Sequence, residues 1–111
     1  MEAIERQIDY YQTPDGRIPY REWHNSLKSA KTQAIIDVRL ARVRLGNFGY
    51  CKPVGEGVLE LKIDYAPGYR VYLALVGSRV VLLLTGSDKS TQSREIRQAK
   101  AFWQDFEARH V

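Results

Sequence analysis

Three cations and three aromatic side chains lie close together in the second half of the chain, in a pattern suited to binding a polyanion. The cations are Lys62, Arg70 and Lys89. The aromatic residues interleaved with them are Tyr65, Tyr69 and Tyr72. Cationic side chains bind phosphates and aromatic rings stack on bases, and a single-stranded nucleic acid needs both. The joint placement of these residues therefore predicts a nucleic-acid-binding face.

Alternation along two adjacent strands indicates which of these side chains share a face. Lys62 lies between two aliphatic residues, so it points away from the face that they share. Arg70 and Tyr72 are two residues apart on the next strand and therefore lie on one face. We expect Lys62, Arg70 and Tyr72 to converge on one exposed side of the sheet. Lys89 should lie nearby, next to a helix N-terminus whose amides favour phosphate.

Each of these residues also has a purely structural explanation. Arg70 could form a salt bridge with Glu60 or Asp64 across the hairpin. The tyrosines could reflect the strand propensity of aromatic residues. Lys89 could be a solvated turn lysine.

The predicted fold class is α+β, with the element order β-α-α-β-β-β-α. The predicted elements are a strand over 3–11, helices over about 19–27 and 30–45, strands over about 58–64, 69–76 and 79–85, and a helix after Ser90 or Thr91. Strand 79–85 is almost wholly apolar and should be the buried central strand. Residues 46–57 are rich in glycine, which predicts a loop. A two-residue connection, Gly77-Ser78, should join the last two strands.

Bulk composition is that of one soluble domain over residues 1–111. Residues 28–100 hold 13 basic and 6 acidic residues, so positive charge is concentrated in the middle of the chain. This distribution fits a polyanionic partner or a solvated basic face about equally well. No apolar run is long enough to cross a membrane, and the charged N-terminus does not resemble a secretory signal. A lone cysteine, Cys51, fits a reducing cytoplasm.

We predict neither a metal site nor a cofactor. His24 and His110 lie near opposite ends of the chain, and no cluster of Cys, His and Asp has the spacing of metal ligands. Cys51 has no nucleophile motif around it and is expected to be an ordinary loop thiol.

Two motifs resemble the RelE/ParE toxin superfamily, and within it the HigB-like addiction-module killer proteins. One is Ala-Pro-Gly-Tyr-Arg-Val-Tyr at 66–72, and the other is Gly-Ser-Asp-Lys-Ser-Thr-Gln at 86–92. Leu-Gly-Asn-Phe-Gly at 45–49 and Lys-Pro-Val-Gly at 52–55 are similar to the same subfamily. The resemblance covers nearly the whole chain. It implies a small antiparallel-rich sheet with two N-terminal helices packed on it.

The resemblance also implies a toxin of a type II toxin–antitoxin pair that cleaves mRNA in the ribosomal A site without a metal. In such chemistry a ribose 2′-hydroxyl attacks the adjacent phosphate, which requires a base, cations for the developing charge and an acid for the leaving oxygen. By this resemblance Arg70 binds the scissile phosphate, Lys62 assists it and Lys89 stabilises the leaving group. The expected RNA-contacting residues are Tyr65, Tyr69, Tyr72, Lys52 and Arg44.

The general base is not assigned by the resemblance. Glu60 stands where RelE itself has a second lysine, so Glu60, or less plausibly Glu56, could be a carboxylate base. Alternatively, the chain could be a ParE-like protein that poisons DNA gyrase by binding, or an inactive toxin that acts only in operon repression.

The implied partners are a helix-turn-helix antitoxin, mRNA and the ribosome, and operator DNA reached through the antitoxin complex. No membrane partner is expected.

Overall fold

The structure is a computed structural model that describes residues 4–110. The elements in chain order are β1 (Gln7–Tyr10), α1 (Pro19–Ser26), α2 (Ala30–Arg44), β2 (Cys51–Gly55), β3 (Val58–Ile63), β4 (Tyr69–Val76), β5 (Val80–Asp88) and α3 (Gln92–Arg109). The predicted α+β class and all three predicted helices are confirmed. Residue 3, the first of the predicted N-terminal strand, lies outside the described residues. Within residues 4–110, no helix has the length and apolar character needed to cross a membrane.

One five-stranded sheet has the order β1-β5-β4-β3-β2. Strand β1 runs parallel to β5, and the other neighbouring pairs are antiparallel. The chain between β1 and its parallel partner β5 contains α1, α2 and the three strands β2, β3 and β4. The three consecutive strands β3, β4 and β5 bring distant polar residues into register.

The helices begin where the sequence supplies suitable first residues. Pro19 occupies the first turn of α1, where its missing N–H leaves no hydrogen bond unmade. The side chain of Ser29 accepts a hydrogen bond from the Thr32 N–H and caps α2. At α3 the N-cap is Thr91, but its own side chain makes no capping bond; the carboxylate of Asp88 accepts from the Thr91 N–H at 3.1 Å.

Both faces of the sheet are covered. The face toward α1 and α2 holds one core cluster, which includes Ile36, Leu61 and Val71. The face toward α3 holds a second cluster, which includes Tyr72, Leu84 and Ala99. The sheet is therefore the middle layer of three, and the polar side chains on the α3 face lie under a helix.

Three details of the predicted topology are wrong. Residues 46–57 were expected to form a loop, but Cys51–Gly55 is the edge strand β2, paired with β3. Strand β5 is buried, as predicted, but it lies between β4 and β1, and the central strand of the five is β4. The connection between β4 and β5 contains three residues, because Val76 pairs with Val80.

The expected polar loop at 86–92 is also partly a strand, since β5 continues to Asp88. Gly86 lies within this extension and lets α1 pack closely on it, since a Cβ at this position would overlap the ring of Trp23. The extension carries Ser87 into the buried part of the sheet, where it is fully enclosed.

Candidate functional site

A polar cluster lies between the sheet and the first turn of α3. Register pairs Glu60 of β3 with Tyr72 of β4, and Arg70 of β4 with Ser87 of β5. Gln92 reaches the same place from the start of α3. We call these five residues the Glu60 cluster.

Hydrogen bonds converge on one carboxylate oxygen of Glu60. The hydroxyl of Tyr72 donates to Oε2 at 3.0 Å, and Nε2 of Gln92 donates to the same oxygen at 3.0 Å. The Tyr72 oxygen also lies 3.0 Å from Oγ of Ser87. Because the tyrosine proton goes to Glu60, Ser87 is the donor in that second bond.

Burial controls the electrostatics of this cluster. Tyr72 is fully buried, and burial raises the pKa of its hydroxyl far above the usual value; the negative charge of Glu60 acts in the same direction, while the Ser87 bond opposes it. Tyr72 therefore remains a neutral donor. Glu60 is 2% exposed, and its other oxygen, Oε1, lies 3.8 Å from Nζ of the largely exposed Lys52.

Arg70 is the exceptional member of the cluster. Its side chain is 9% exposed, and its Nε and Nη1 are buried without a hydrogen-bond partner among residues 4–110. The ion pairs in this part of the chain join Glu60 to Lys52 and leave Arg70 unpaired, so the expected alternative of a salt bridge to Glu60 or Asp64 is wrong. Buried donors without partners are uncommon, because burial costs them their hydration. The two free donors make this a candidate anion site.

The other two predicted cations lie at the same end of the sheet. Lys62 pairs in register with Arg70, but its ammonium is 5.7 Å from the ring centroid of Tyr50, away from the cluster. Lys89 is exposed and directly follows Asp88, the partner of Tyr69 in the ladder. Lys89 is therefore exposed on the turn between β5 and α3, as its structural alternative predicts.

The predicted base-stacking tyrosines do not form a platform beside Arg70. Tyr72 is fully buried, and its hydroxyl is used within the cluster. Tyr65 and Tyr69 pack against the core on the α1 and α2 side of the sheet, opposite Arg70. The prediction of an exposed basic-aromatic face is therefore wrong. Helix α3 covers the Arg70 side of the sheet, and alternation along β4 places Tyr69 on the opposite side.

Two residues predicted to bind RNA are separated by the fold. Lys52 lies on β2 and contacts Glu60, so the structure brings it to the cluster. Arg44 lies at the end of α2, where its Nη1 is 3.9 Å from Oε1 of Glu5. The structure places Arg44 on the helix that packs on the opposite face of the sheet.

Ser87 and Gln92 were not singled out from the sequence. Ser87 lies beyond the predicted end of the last strand, and Gln92 lies at the start of the helix predicted after Ser90 or Thr91, but no local pattern indicates that their side chains join Glu60. One signal was available: an apolar stripe on the last helix requires an apolar partner surface, and the second face of the sheet is the surface that remains.

Two further kinds of reactive site can be checked outside the Glu60 cluster, a nucleophilic thiol and a metal centre. Burial raises the pKa of the Cys51 thiol, which disfavours the nucleophilic thiolate. Over residues 4–110, no three His, Cys, Asp or Glu side chains are arranged to hold a metal ion.

Comparison with models of known protein families finds no match. A protein of Haemophilus influenzae described as uncharacterized is 43% identical to this chain over 89 residues, which are 80% of this chain and 90% of that protein. Identity at that level over most of both chains means that they share one fold and a common origin. The chain therefore belongs to the same family as this Haemophilus influenzae protein.

Proposed function

We propose that this protein is a RelE-like toxin of a type II toxin–antitoxin pair, and that it cleaves mRNA on the ribosome. The observation that carries the proposal is the Arg70 guanidinium, buried with two free donors beside a buried carboxylate. A guanidinium presents paired N–H groups that match two phosphate oxygens. A phosphate bound there would supply the partners that Nε and Nη1 lack within the protein.

The proposed reaction is an in-line transfer within the RNA strand. The ribose O2′ attacks the adjacent phosphorus and loses its proton, the P–O5′ bond breaks, and O5′ receives a proton. The products are a 2′,3′-cyclic phosphate and a 5′-hydroxyl. Arg70 binds the phosphate oxygens as negative charge develops on them.

Glu60 is the proposed proton acceptor, through Oε1. Its other oxygen, Oε2, is occupied by Tyr72 and Gln92. The nearest cation to Oε1 is Lys52 at 3.8 Å, which is longer than a hydrogen bond, so Oε1 keeps acceptor capacity. Lys89 is the proposed donor or charge partner for the leaving O5′. Lys62, to which the resemblance gives an assisting role, is left out of this proposal, because its ammonium lies over the ring of Tyr50 and away from the cluster.

The binding-only alternative is supported by the placement of the tyrosines. Tyr65, Tyr69 and Tyr72 do not form an exposed platform beside Arg70. These three tyrosines therefore cannot stack on RNA bases at the site, as would be expected in an enzyme that cleaves RNA. A ParE-like gyrase poison, or an inactive toxin that acts only with its antitoxin in operon repression, needs no such groups. In the nuclease proposal the ribosome, instead of these tyrosines, would hold the RNA bases in position.

The proposed partners follow from the same function. They are a helix-turn-helix antitoxin, mRNA on the ribosome, and operator DNA through the antitoxin complex, all in the cytoplasm.

Induction in cells with mapping of mRNA 5′ ends tests the proposal. Wild type should arrest growth and produce new 5′ ends inside translated messages, and Arg70→Ala and Lys89→Ala should produce neither. Arg97→Ala is the matched control, because Arg97 is an exposed arginine on α3 outside the cluster. Growth arrest with intact messages and a DNA-damage response would replace the nuclease by the gyrase-binding alternative.

A further inference from the structure

Helix α2 carries a second apolar stripe that faces away from the core. The stripe consists of Ala34, Val38 and Ala41 on α2 and of Leu45, the C-cap residue that directly follows the helix; all four are exposed. Val38 is 54% exposed and Leu45 is 58% exposed. Their spacing of four, three and four residues places them on one side of a helix. An aliphatic row that points to solvent along a whole helix is typical of a protein-binding surface.

A cleft of about 650 Å³ lies beside this stripe, between α2 and the segment that enters β2. We call it the α2 cleft. Its apolar part includes Ile35, Val38 and the 61% exposed ring of Tyr50. An apolar floor next to the exposed stripe makes one continuous surface for a partner.

The charged groups that line the α2 cleft are mostly positive. The cations are Lys31, Arg39, Arg42 and Lys62, and the only acidic side chain in the lining over the described residues is Asp64. Arg39 is held in place by donation from Nη2 to the carbonyl of Phe48. A partner that fits this surface must carry apolar residues in its centre and carboxylates around them.

We infer that the α2 cleft and the α2 stripe bind an acidic amphipathic helical segment of a partner protein. The stripe from Ala34 to Leu45 covers eleven residue steps, which is about 16 Å or roughly three helical turns. A partner helix of similar length would place aliphatic side chains on Val38 and Tyr50 and carboxylates near Arg42. An RNA strand fits less well, because contacts of aliphatic side chains with phosphates or bases contribute little to the free energy of binding.

This surface lies on the opposite side of the sheet from Arg70. Helix α2 packs on the Leu61 and Val71 face, whereas Arg70 pairs with Ser87 on the α3 face. The inference therefore does not depend on the proposed nuclease activity, and a variant at either surface leaves the other intact.

The test is a titration of the ¹⁵N-labelled full chain, followed by amide chemical shifts. The first probe is a synthetic helical peptide with leucines at i, i+3, i+4 and i+7 and glutamates elsewhere. The second peptide has lysine in place of every glutamate, and the third probe is a single-stranded oligouridylate. Val38→Glu and Arg42→Glu are the surface variants; Arg97→Glu is the matched control, since it makes the same charge change on exposed α3.

The glutamate peptide should shift amides of α2 and of residues 47–50, and each surface variant should weaken its binding by about tenfold or more. The Arg97 variant should change binding by less than about twofold. The inference is overturned if the glutamate peptide does not bind or binds elsewhere, or if the lysine peptide binds equally well. It is also overturned if oligouridylate is the probe that shifts the α2 cleft, since the surface would then be a nucleic-acid site.

Discussion

Replacing Arg70 by methionine should make the protein more stable while it destroys the proposed site. Nε and Nη1 of Arg70 are buried donors without protein partners. A buried donor left unpaired costs about 1–3 kcal/mol, so the two together cost about 2–6 kcal/mol. Methionine keeps much of the aliphatic volume and removes the charge. Part of the gain is lost because Glu60 loses a nearby positive charge, and a net stabilisation of about 1–4 kcal/mol is expected.

The assay is urea unfolding of wild type and Arg70→Met, with thermal melts as a second probe. For a chain of this size, each kcal/mol corresponds to roughly 4 °C in Tm, so Tm should rise by roughly 4–16 °C. Arg97→Met is the control and should stay within about 0.5 kcal/mol of wild type, because Arg97 is exposed. A loss of stability in Arg70→Met would refute the reasoning, since it would mean that the guanidinium is satisfied in the folded protein.

Inorganic phosphate provides an independent measurement of the same feature. If Arg70 binds anions, phosphate should raise the Tm of wild type relative to chloride at equal ionic strength. A ligand present at about 100 times its Kd stabilises by about 2.7 kcal/mol. Arg70→Met should show no such difference, and an equal phosphate effect in both proteins would place the anion elsewhere.

Three further perturbations test the fold and the cluster by urea unfolding. Gly86→Ala should destabilise by about 1–3 kcal/mol, because a Cβ there overlaps the Trp23 ring; a neutral result would mean that α1 is loosely docked. Tyr72→Phe should destabilise by about 1–3 kcal/mol, because buried Glu60 loses a donor; a change below about 0.5 kcal/mol would contradict the hydrogen bond. Hydrogen bonds from Ser90 and then Thr91 lower the pKa of Asp88, so the unfolded chain takes up this proton at higher pH than the folded chain. The stabilisation by Asp88 should be complete above about pH 4 and lost as the pH falls through the lower pKa of the folded state. In Asp88→Asn, the free energy of unfolding should therefore fall less steeply below about pH 4 than in wild type. An equally steep fall in both proteins would contradict a lowered pKa of Asp88.

Local pattern was sufficient to predict most of the fold. All three helices were predicted close to their observed positions, and the alternation along β4 correctly placed Arg70 and Tyr72 on one face, although Lys62 does not join them. Strand β2 was missed because Pro53 and its flanking glycines are typical of a loop, and only pairing with β3 makes this segment a strand. Proline is tolerated there because β2 is an edge strand.

The candidate site was harder to predict, because its character depends on what covers it. Sequence placed Lys62, Arg70 and Tyr72 on one exposed face of the sheet, but it could not show that α3 buries Arg70 and Tyr72 together with Glu60. The nearly continuous apolar run of β5 was the available clue, since a strand that is apolar on both faces needs cover on both. Burial changes Tyr72 from a stacking ring into a donor to Glu60, and it changes Arg70 from a surface cation into an unpaired buried one.

Cleavage of a defined message on purified ribosomes tests the proposed nuclease most directly. Wild type should cut within the A-site codon and leave a 2′,3′-cyclic phosphate and a 5′-hydroxyl. Arg70→Ala should cut at least about a hundredfold more slowly, as expected for the loss of a group that stabilises the transition state, while Arg97→Ala cuts at the wild-type rate. An intact message with wild type, or undiminished cleavage by Arg70→Ala, would contradict the proposed site.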